Sequence, residues 1–302
     1  EVPISEPKAV VHITHGMAEH AGRYTWFMQI LKEAGYAVYA HDIRGHGYTY
    51  AYNSSKGHFC DKNGLDKILH DLDFSIDLIK KNHPNIPIYC FGHSLGSILL
   101  LRYATSSYHR INGIACWNSG IETNLLAIVG RIILSIERKL RSPRSKSYFA
   151  WKLTFQTWAG KINNKQTNFD WLSNDKNHVD RYIEDKLCGC DVSLQSWLDV
   201  AEAVFYASRN LSMIPSNFPI FLLGGAQDPC TNYGKDMKKL AVRLERIGHY
   251  NCTHRIIEGS RHETLNELNR EQHAQIFIDW LSVQTKQNED LYDSAKRIKS
   301  YS

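Results

Sequence analysis

The sequence lacks most of the signatures that assign a chemistry on sight. Its seven cysteines (60, 90, 116, 188, 190, 230 and 252) are odd in number and contain no C-x-x-C pair, and Cys188-Gly189-Cys190 is too close for a usual zinc half-site. Three of them, Cys90, Cys116 and Cys252, fall in or beside apolar strand-like runs, so buried reduced thiols are expected. H-E-x-x-H and H-x-H-x-D-H are missing, and His12 and His15, three apart on an expected strand, face opposite sides. No Walker loop or G-x-G-x-x-G occurs, which argues against nucleotide binding. No metal or cofactor is therefore expected. No apolar run approaches the roughly 18 residues of a spanning helix; the longest candidate, Leu125 to Ile136, is broken by Arg131. There is no secretory signal, although the chain starts at Glu1 without a methionine. A cytoplasmic location, peripheral at membranes, is the expectation. No basic, aromatic-interleaved stripe accompanies the net charge of +5, so no nucleic-acid partner is expected.

What is present is an alternation. Ala9 to Thr14, Tyr36 to His41, Ile88 to Phe91 and Ile111 to Trp117 read as strands. Trp26 to Ala34 reads as a helix, and Leu65 to Asn82 carries apolar residues at 65, 68, 69, 72, 76 and 79, the period of a helix packed on a sheet. Strands alternating with helices imply an α/β fold, a mostly parallel sheet flanked by helices, with ligands beyond the carboxyl ends of the strands. The alternation stops near Gly120. Residues 121 to 209 are mostly helical and hold four of the seven tryptophans (151, 158, 171 and 197). The pattern resumes with a strand at Phe218 to Leu223, a helix at Tyr233 to Ile247, a strand at Thr253 to Ile257 and a helix at Gln272 to Val283. The division expected is core at 1–120, a helical cap at 121–209 and core again at 210–302, with a polar, peripheral tail after Lys286.

The chemistry starts at Gly92-His93-Ser94-Leu95-Gly96, a G-x-S-x-G between a strand and a helix. In that setting the serine stands on a sharp turn with its hydroxyl exposed, and the glycines leave room for the close packing around it. A serine hydroxyl needs a base, and the base needs an acid to orient it. Chain order places the acid after a late strand and the histidine after a later one. Asp228 follows the strand ending at Leu223, whereas Asp236 falls inside a helical pattern. His262 follows the last strand; His249, His254 and His273 sit at a helix end, within a strand and in the last helix. Ser94, Asp228 and His262 are the expected triad. Two backbone N–H groups, of Leu95 and Met17, are the expected oxyanion donors. The loop Asp42-Ile43-Arg44-Gly45-His46-Gly47 reads as braced by Asp–Arg contacts and two glycines.

Taken together, His15-Gly16-Met17-Ala18-Glu19-His20, Asp42-Ile43-Arg44-Gly45-His46-Gly47, Gly92-His93-Ser94-Leu95-Gly96, Asp228-Pro229 and His262-Glu263 resemble the α/β-hydrolases. The likeness is to the monoacylglycerol lipase and lysophospholipase group, also called serine aminopeptidase-like hydrolases, and covers roughly residues 8 to 283. Trp171-Leu172-Ser173-x-Asp175 and Cys188-Gly189 share it. The resemblance implies the same triad and the same oxyanion donors. It departs at one point: members usually carry a β-hairpin before the His-Gly strand, and only about eight residues precede that strand here.

Specificity is expected in the cap. Leu125 to Ile136 forms a helix apolar over most of its surface, either buried or meeting lipid, and runs into Arg138, Lys139, Arg141, Arg144 and Lys146. That order suits an acyl chain or an anionic membrane surface, so transient membrane contact through the cap is expected. The reaction expected is hydrolysis of a single-chain lipid ester through an acyl-enzyme. Two alternatives stand beside it. A peptidase of this fold would place a cap carboxylate, Glu122, Asp170 or Glu184, on a substrate ammonium; a ligand sensor would keep the triad and turn over slowly. The sequence leaves the oligomeric state open.

Overall fold

The structure, a computed structural model, describes residues 4–51 and 53–300, with 289–300 as helical backbone only. Six strands form one sheet: β1 (Val10–Thr14), β2 (Ala37–Ala40), β3 (Ile88–His93), β4 (Gly113–Trp117), β5 (Ile220–Gly225) and β6 (Cys252–Ile257). Their order is β2-β1-β3-β4-β5-β6 and every pairing is parallel. Among the described residues no strand precedes β1, and β2 forms that edge of the sheet.

β1, β3 and β4 are buried along their whole length because helices cover both faces. Alternate side chains go to opposite layers. Val10, Ile88, Cys90 and Ile114 pack with α2 (Gly64–Asn82), α3 (Leu95–Ser107) and α9 (Lys235–Arg246). Val11, Ile13, Phe91 and Trp117 pack with α1 (Thr25–Glu33) and α10 (Arg270–Ser300). Helix α2 buries Leu65, Ile68, Leu72, Ile76 and Ile79, the stripe its periodicity predicts. At the other edge, β6 exposes His254 and Arg255, charged or polar side chains that discourage edge-to-edge pairing. Helix α10 continues past the expected Val283 to Ser300.

Between β4 and β5 lie α4 (Leu125–Leu140), α5 (Tyr148–Trp151), a π-helical turn at Lys152–Gln156, α6 (Thr157–Gly160), α7 (Lys176–Glu184) and α8 (Leu194–Arg209). Helix α4 is longer than its apolar run. Asn124 caps its start by accepting from the Ala127 N–H, and Arg138 and Lys139 fall in its last turn, where cations meet the negative end of the helix dipole. Helix α8 reaches the sheet side: its Ala203 packs with Leu95 and Leu99 of α3, and Ala207 joins the layer under β3 and β4.

The closest constraint is at α3. A Cβ on Gly96 would stand 2.0 Å from the Thr14 carbonyl oxygen, and one on Gly92 would stand 2.6 Å from the Gly96 carbonyl carbon. Both obstacles are backbone and have nowhere to go. Gly96→Ala is expected to cost about 3 kcal/mol or to prevent folding, as an overpacked site does; the midpoint of urea unfolding measures it.

Candidate active site

β3 ends at His93 and α3 begins at Leu95, so Ser94 alone makes the turn. Its backbone sits at φ 50° and ψ −111°, where an L-residue is strained. The turn is latched from below. Ser94 N–H donates to the Trp117 carbonyl at 2.9 Å. Ser97 Oγ donates to the carbonyls of Gly92 (2.7 Å) and Trp117 (2.9 Å).

Asp228 follows β5 and is completely buried. Its Oδ1 accepts from the Cys230 N–H at 2.8 Å; its Oδ2 accepts from Thr231 Oγ1 at 2.9 Å and Asn118 Nδ2 at 3.4 Å. His262 follows β6, with Nδ1 3.0 Å from Asp228 Oδ2 and Nε2 3.0 Å from Ser94 Oγ. The three expected residues therefore form one hydrogen-bonded chain. A carboxylate accepts only, so the ring proton of neutral His262 stands on Nδ1 and leaves Nε2 to accept from the Ser94 hydroxyl. Such a chain can take a proton from the serine and return it to a leaving group. Asn118 and Thr231, which hold Asp228, carried no sequence signal; Asn118 is recognisable only by its left-handed backbone, φ 53°.

The loop after β1 is fixed by His15. Its Nε2 accepts from the Ile43 N–H at 2.9 Å and its Nδ1 donates to the Gly16 carbonyl at 2.7 Å. One nitrogen accepts, so the ring is neutral; burial lowers its pKa to about 4 against the pull of the Glu19 charge. Fixing the Gly16 carbonyl fixes the trans peptide plane, and Met17 N–H points the opposite way. Leu95 N–H lies in the first turn of α3, where helix N–H groups have no intrahelical acceptor. His15 and His12 do part company as expected, His12 reaching His41 at 3.1 Å instead. The Asp42 loop is braced, but by other partners than expected. Asp42 accepts from the N–H groups of Ala21 (2.9 Å) and Tyr48 (2.9 Å), while Arg44 pairs with Asp71 at 2.7 Å. The side chain of Arg44 reaches α2 more easily than it folds back two residues.

Beside the triad sits a buried ion group that sequence reading missed. Arg23 donates to Glu19 Oε2 at 2.6 Å and, with both terminal nitrogens, to Glu263 at 2.6 and 2.7 Å. Burial, the largest single effect, raises both carboxyls, but the Arg23 charge together with the hydrogen bonds each accepts and the nearby His93 holds both below the ordinary glutamate range. The only sequence trace was the i,i+4 spacing of Glu19 and Arg23.

Ser94 opens into a cavity of about 380 Å³, walled by apolar side chains that include Ile98, Leu134, Phe149, Leu153, Trp158 and Phe205. Trp171 packs on the His262 ring at 4.8 Å between centroids. Of the cap carboxylates considered for an ammonium, Glu122 lines the cavity but reaches Arg243 at 3.5 Å. Asp170 instead accepts from the Gln166 N–H at 2.6 Å, and Glu184 closes α7 away from the cavity lining. All seven cysteines are unpaired; Cys90 and Cys116 are buried, and the other five are partly exposed, Cys252 among them. His20, Asp185 and Cys188 bring ligand-type atoms within 4.8 Å of one another. Burial pushes the Cys188 thiol pKa well up, however, which disfavours the thiolate a metal would need.

A parallel sheet with serine, aspartate and histidine after β3, β5 and β6, the serine on a strand-to-helix turn, defines an α/β-hydrolase. The family model for serine aminopeptidase, S33, matches residues 5–269. The chain belongs to that family, in the monoacylglycerol lipase group, and is a hydrolase. It is 26% identical to the monoglyceride lipase of Rattus norvegicus over 275 residues, covering 88% of this chain and 79% of that protein. It is 24% identical to phospholipase YtpA of Bacillus subtilis over 278 residues, covering 88% of this chain and 92% of that protein. A thermostable carboxyl esterase of Bacillus coagulans superposes with a TM-score of 0.85 at 23% identity, covering 94% of this chain and 92% of that one.

Removing Arg23 would strand two buried carboxylates. Arg23→Met is expected to cost about 3–5 kcal/mol at pH 7. Because both glutamates have depressed pKa values in the fold, their contribution is present above the unfolded carboxylate range and fades as pH falls. The gap between wild type and variant should therefore narrow toward pH 4, as measured by denaturant unfolding at several pH values.

Proposed function

We propose that the chain is a serine carboxylic-ester hydrolase that cleaves a single-chain lipid ester, a monoacylglycerol or lysophospholipid, through an acyl-enzyme. The observation that carries this reading is the serine hydroxyl opening into an apolar cavity of about 380 Å³. Ser94 Oγ attacks the ester carbonyl while His262 Nε2 takes its proton. The N–H groups of Met17 and Leu95 bind the oxygen as it gains charge. His262 returns the proton to the departing alcohol oxygen, leaving the acyl group on Ser94. Water then repeats the sequence, with His262 accepting the water proton and giving it to Ser94 as the fatty acid leaves. Asp228 keeps the His262 ring in the required tautomer.

Residues 121–209 are the cap in this reading, and α4 serves two surfaces at once. Leu126, Ala127, Gly130 and Leu134 face the cavity. Leu125 (75% exposed), Ile132 (54%) and Ile136 (54%) face outward, a cost in water unless another apolar surface covers them. Of the two expectations for this helix, contact with lipid is the one its exposure supports. Arg141, Arg144 and Lys146 are already paired with Glu137, Asp61 and Asp191, so attraction to an anionic headgroup layer rests on Arg138 and Lys139. A lipid entering from a membrane would pass from one face of α4 to the other. The peptidase alternative is weakened because the carboxylates lining the cavity already have cationic partners: Glu19 and Glu263 on Arg23, Glu122 near Arg243, and Asp236 on Lys239.

A fluorophosphonate probe should label the wild type and fail to label Ser94→Ala; labelling of that variant would place the nucleophile elsewhere. Asp228→Asn should lower kcat by about 10⁴-fold with little change in fold. On monoacylglycerols and lysophospholipids of matched acyl length, kcat/KM should rise roughly tenfold for each two added methylenes until the cavity is full. Ile132→Asp combined with Ile136→Asp should reduce flotation with anionic vesicles and hydrolysis of vesicle-borne lipid. Hydrolysis of a soluble short-chain ester should be kept; loss of both activities together would sink the membrane role.

A further inference from the structure

His93 immediately precedes the nucleophile and takes no part in the proton path above, yet it is buried and both ring nitrogens are bonded. Its Nδ1 lies 3.1 Å from Glu19 Oε1 and its Nε2 lies 3.0 Å from the backbone carbonyl oxygen of His262. A carbonyl oxygen can only accept, so Nε2 carries a proton. Glu19 Oε1 also accepts from the Gly16 N–H at 2.6 Å and the Tyr24 hydroxyl at 2.8 Å, while Oε2 takes Arg23. An oxygen already receiving those donors is a carboxylate oxygen, and Nδ1 facing it carries a proton too. Gly16 is what admits this arrangement: a Cβ there would stand 2.6 Å from Glu19 Oε1 and 2.9 Å from His93 Nδ1.

We propose that His93 is an imidazolium at neutral pH and acts as a positioning residue for the reaction, tying the loop of the base to the loop of the oxyanion donor. The inference rests on the serine-hydrolase reading for its function and on geometry alone for its charge. Two counts agree on the charge. By hydrogen bonds, a neutral ring would aim a lone pair at either a carboxylate or a carbonyl. By charge, Glu19 and Glu263 contribute two negatives and Arg23 one positive; His93 supplies the second, and the buried group is neutral. The ionisable groups around the ring are Glu19 and Arg23 after β1 and His262 and Glu263 after β6, with the His262 ring 4.9 Å away between centroids. Burial opposes the charge, but the bond to and the charge of Glu19, with Glu263 behind it, raise the His93 pKa above its ordinary value.

The result is one continuous strap: Gly16 N–H to Glu19, Glu19 to His93, His93 to the His262 carbonyl. Met17 follows Gly16, and Ser94 follows His93. A single protonated ring thus sets the base and one oxyanion donor relative to the nucleophile. When the ring loses a proton at alkaline pH, one link of the strap becomes a repulsion. Activity should fall on the alkaline side from this group.

Three measurements test it. In ¹⁵N-histidine-labelled wild type, one ring other than His262 should show two protonated nitrogens at pH 7 and above, and that signal should vanish in His93→Gln. In kcat/KM against pH for a soluble ester, the wild type should lose activity at alkaline pH. His93→Gln can donate to only one of the two acceptors; it should run roughly 10- to 100-fold slower, the range of one charge-assisted hydrogen bond, and lose the alkaline limb. Fluorophosphonate labelling of His93→Gln should persist at a reduced rate. A neutral His93 ring at pH 7, or full rate with an unchanged alkaline limb in His93→Gln, overturns the proposal. Persistent labelling of Ser94→Ala would overturn the serine reading instead, and should His93→Gln fail to fold, a wild-type spectrum with no ring doubly protonated above pH 8 would still overturn the proposal.

Discussion

No side chain fits between the start of α3 and the end of β1, and the site depends on that contact. Gly96 comes up against the Thr14 carbonyl, and Thr14 is paired in register with Gly92 of β3. The contact brings the end of β1 beside the Ser94 turn, so the loop carrying His15 to Glu19 has nowhere to lie except alongside the serine. Ser94 itself holds a backbone conformation that costs of order 1–3 kcal/mol. The surrounding strands are buried on both faces and cannot relax to relieve it. Rigidity in the sheet therefore appears as exposure and aim at the hydroxyl.

On this frame the polar groups are arranged by direction rather than by strength. The Arg23, Glu19 and Glu263 group is too buried to be explained as a gain in stability, since an apolar replacement of equal volume is often as stable. Its use is geometric. Hydrogen bonds to carboxylates fix angles that packed hydrocarbon leaves free, and here they join the segments after β1 and after β6. His15 does the same for one peptide plane with a neutral ring. Two buried histidines, His15 and His93, thus stand in opposite charge states for the same reason, the number of acceptors each one meets.

The helices between β4 and β5 follow a different logic. Their own apolar clusters are small, with Leu134, Ala150, Val192, Leu194 and Trp197 in one and Ala159, Trp171, Leu172 and Tyr182 in another. The aromatic residues of this segment also wall the cavity over Ser94. A segment whose apolar side chains partly wall that cavity has little internal packing to spare. Its outer apolar face on α4 stays exposed among the described residues.

The legible part of this protein is its local pattern. Strand, turn and helix boundaries follow from runs of apolar residues, and Ser94, Asp228 and His262 could be named because each must follow a particular strand. Helix α4 extends beyond its apolar run, from the expected Ile136 to Leu140, where the helix dipole and the Arg138–Gln195 contact favour continuing. The Asp42 loop reads as braced by Asp–Arg contacts, and the aspartate that Arg44 meets is Asp71 on α2. The sequence by itself determined the order of elements and the residue types available at the strand ends, since both depend on neighbours in the chain. Tertiary structure alone decided that Arg23 meets Glu263 and that His93 meets both Glu19 and the His262 carbonyl, because those partners are joined by the sheet order. The partners each of them meets, which set the charge it carries against the cost of burial, are a property of the packed layers and of no segment taken singly.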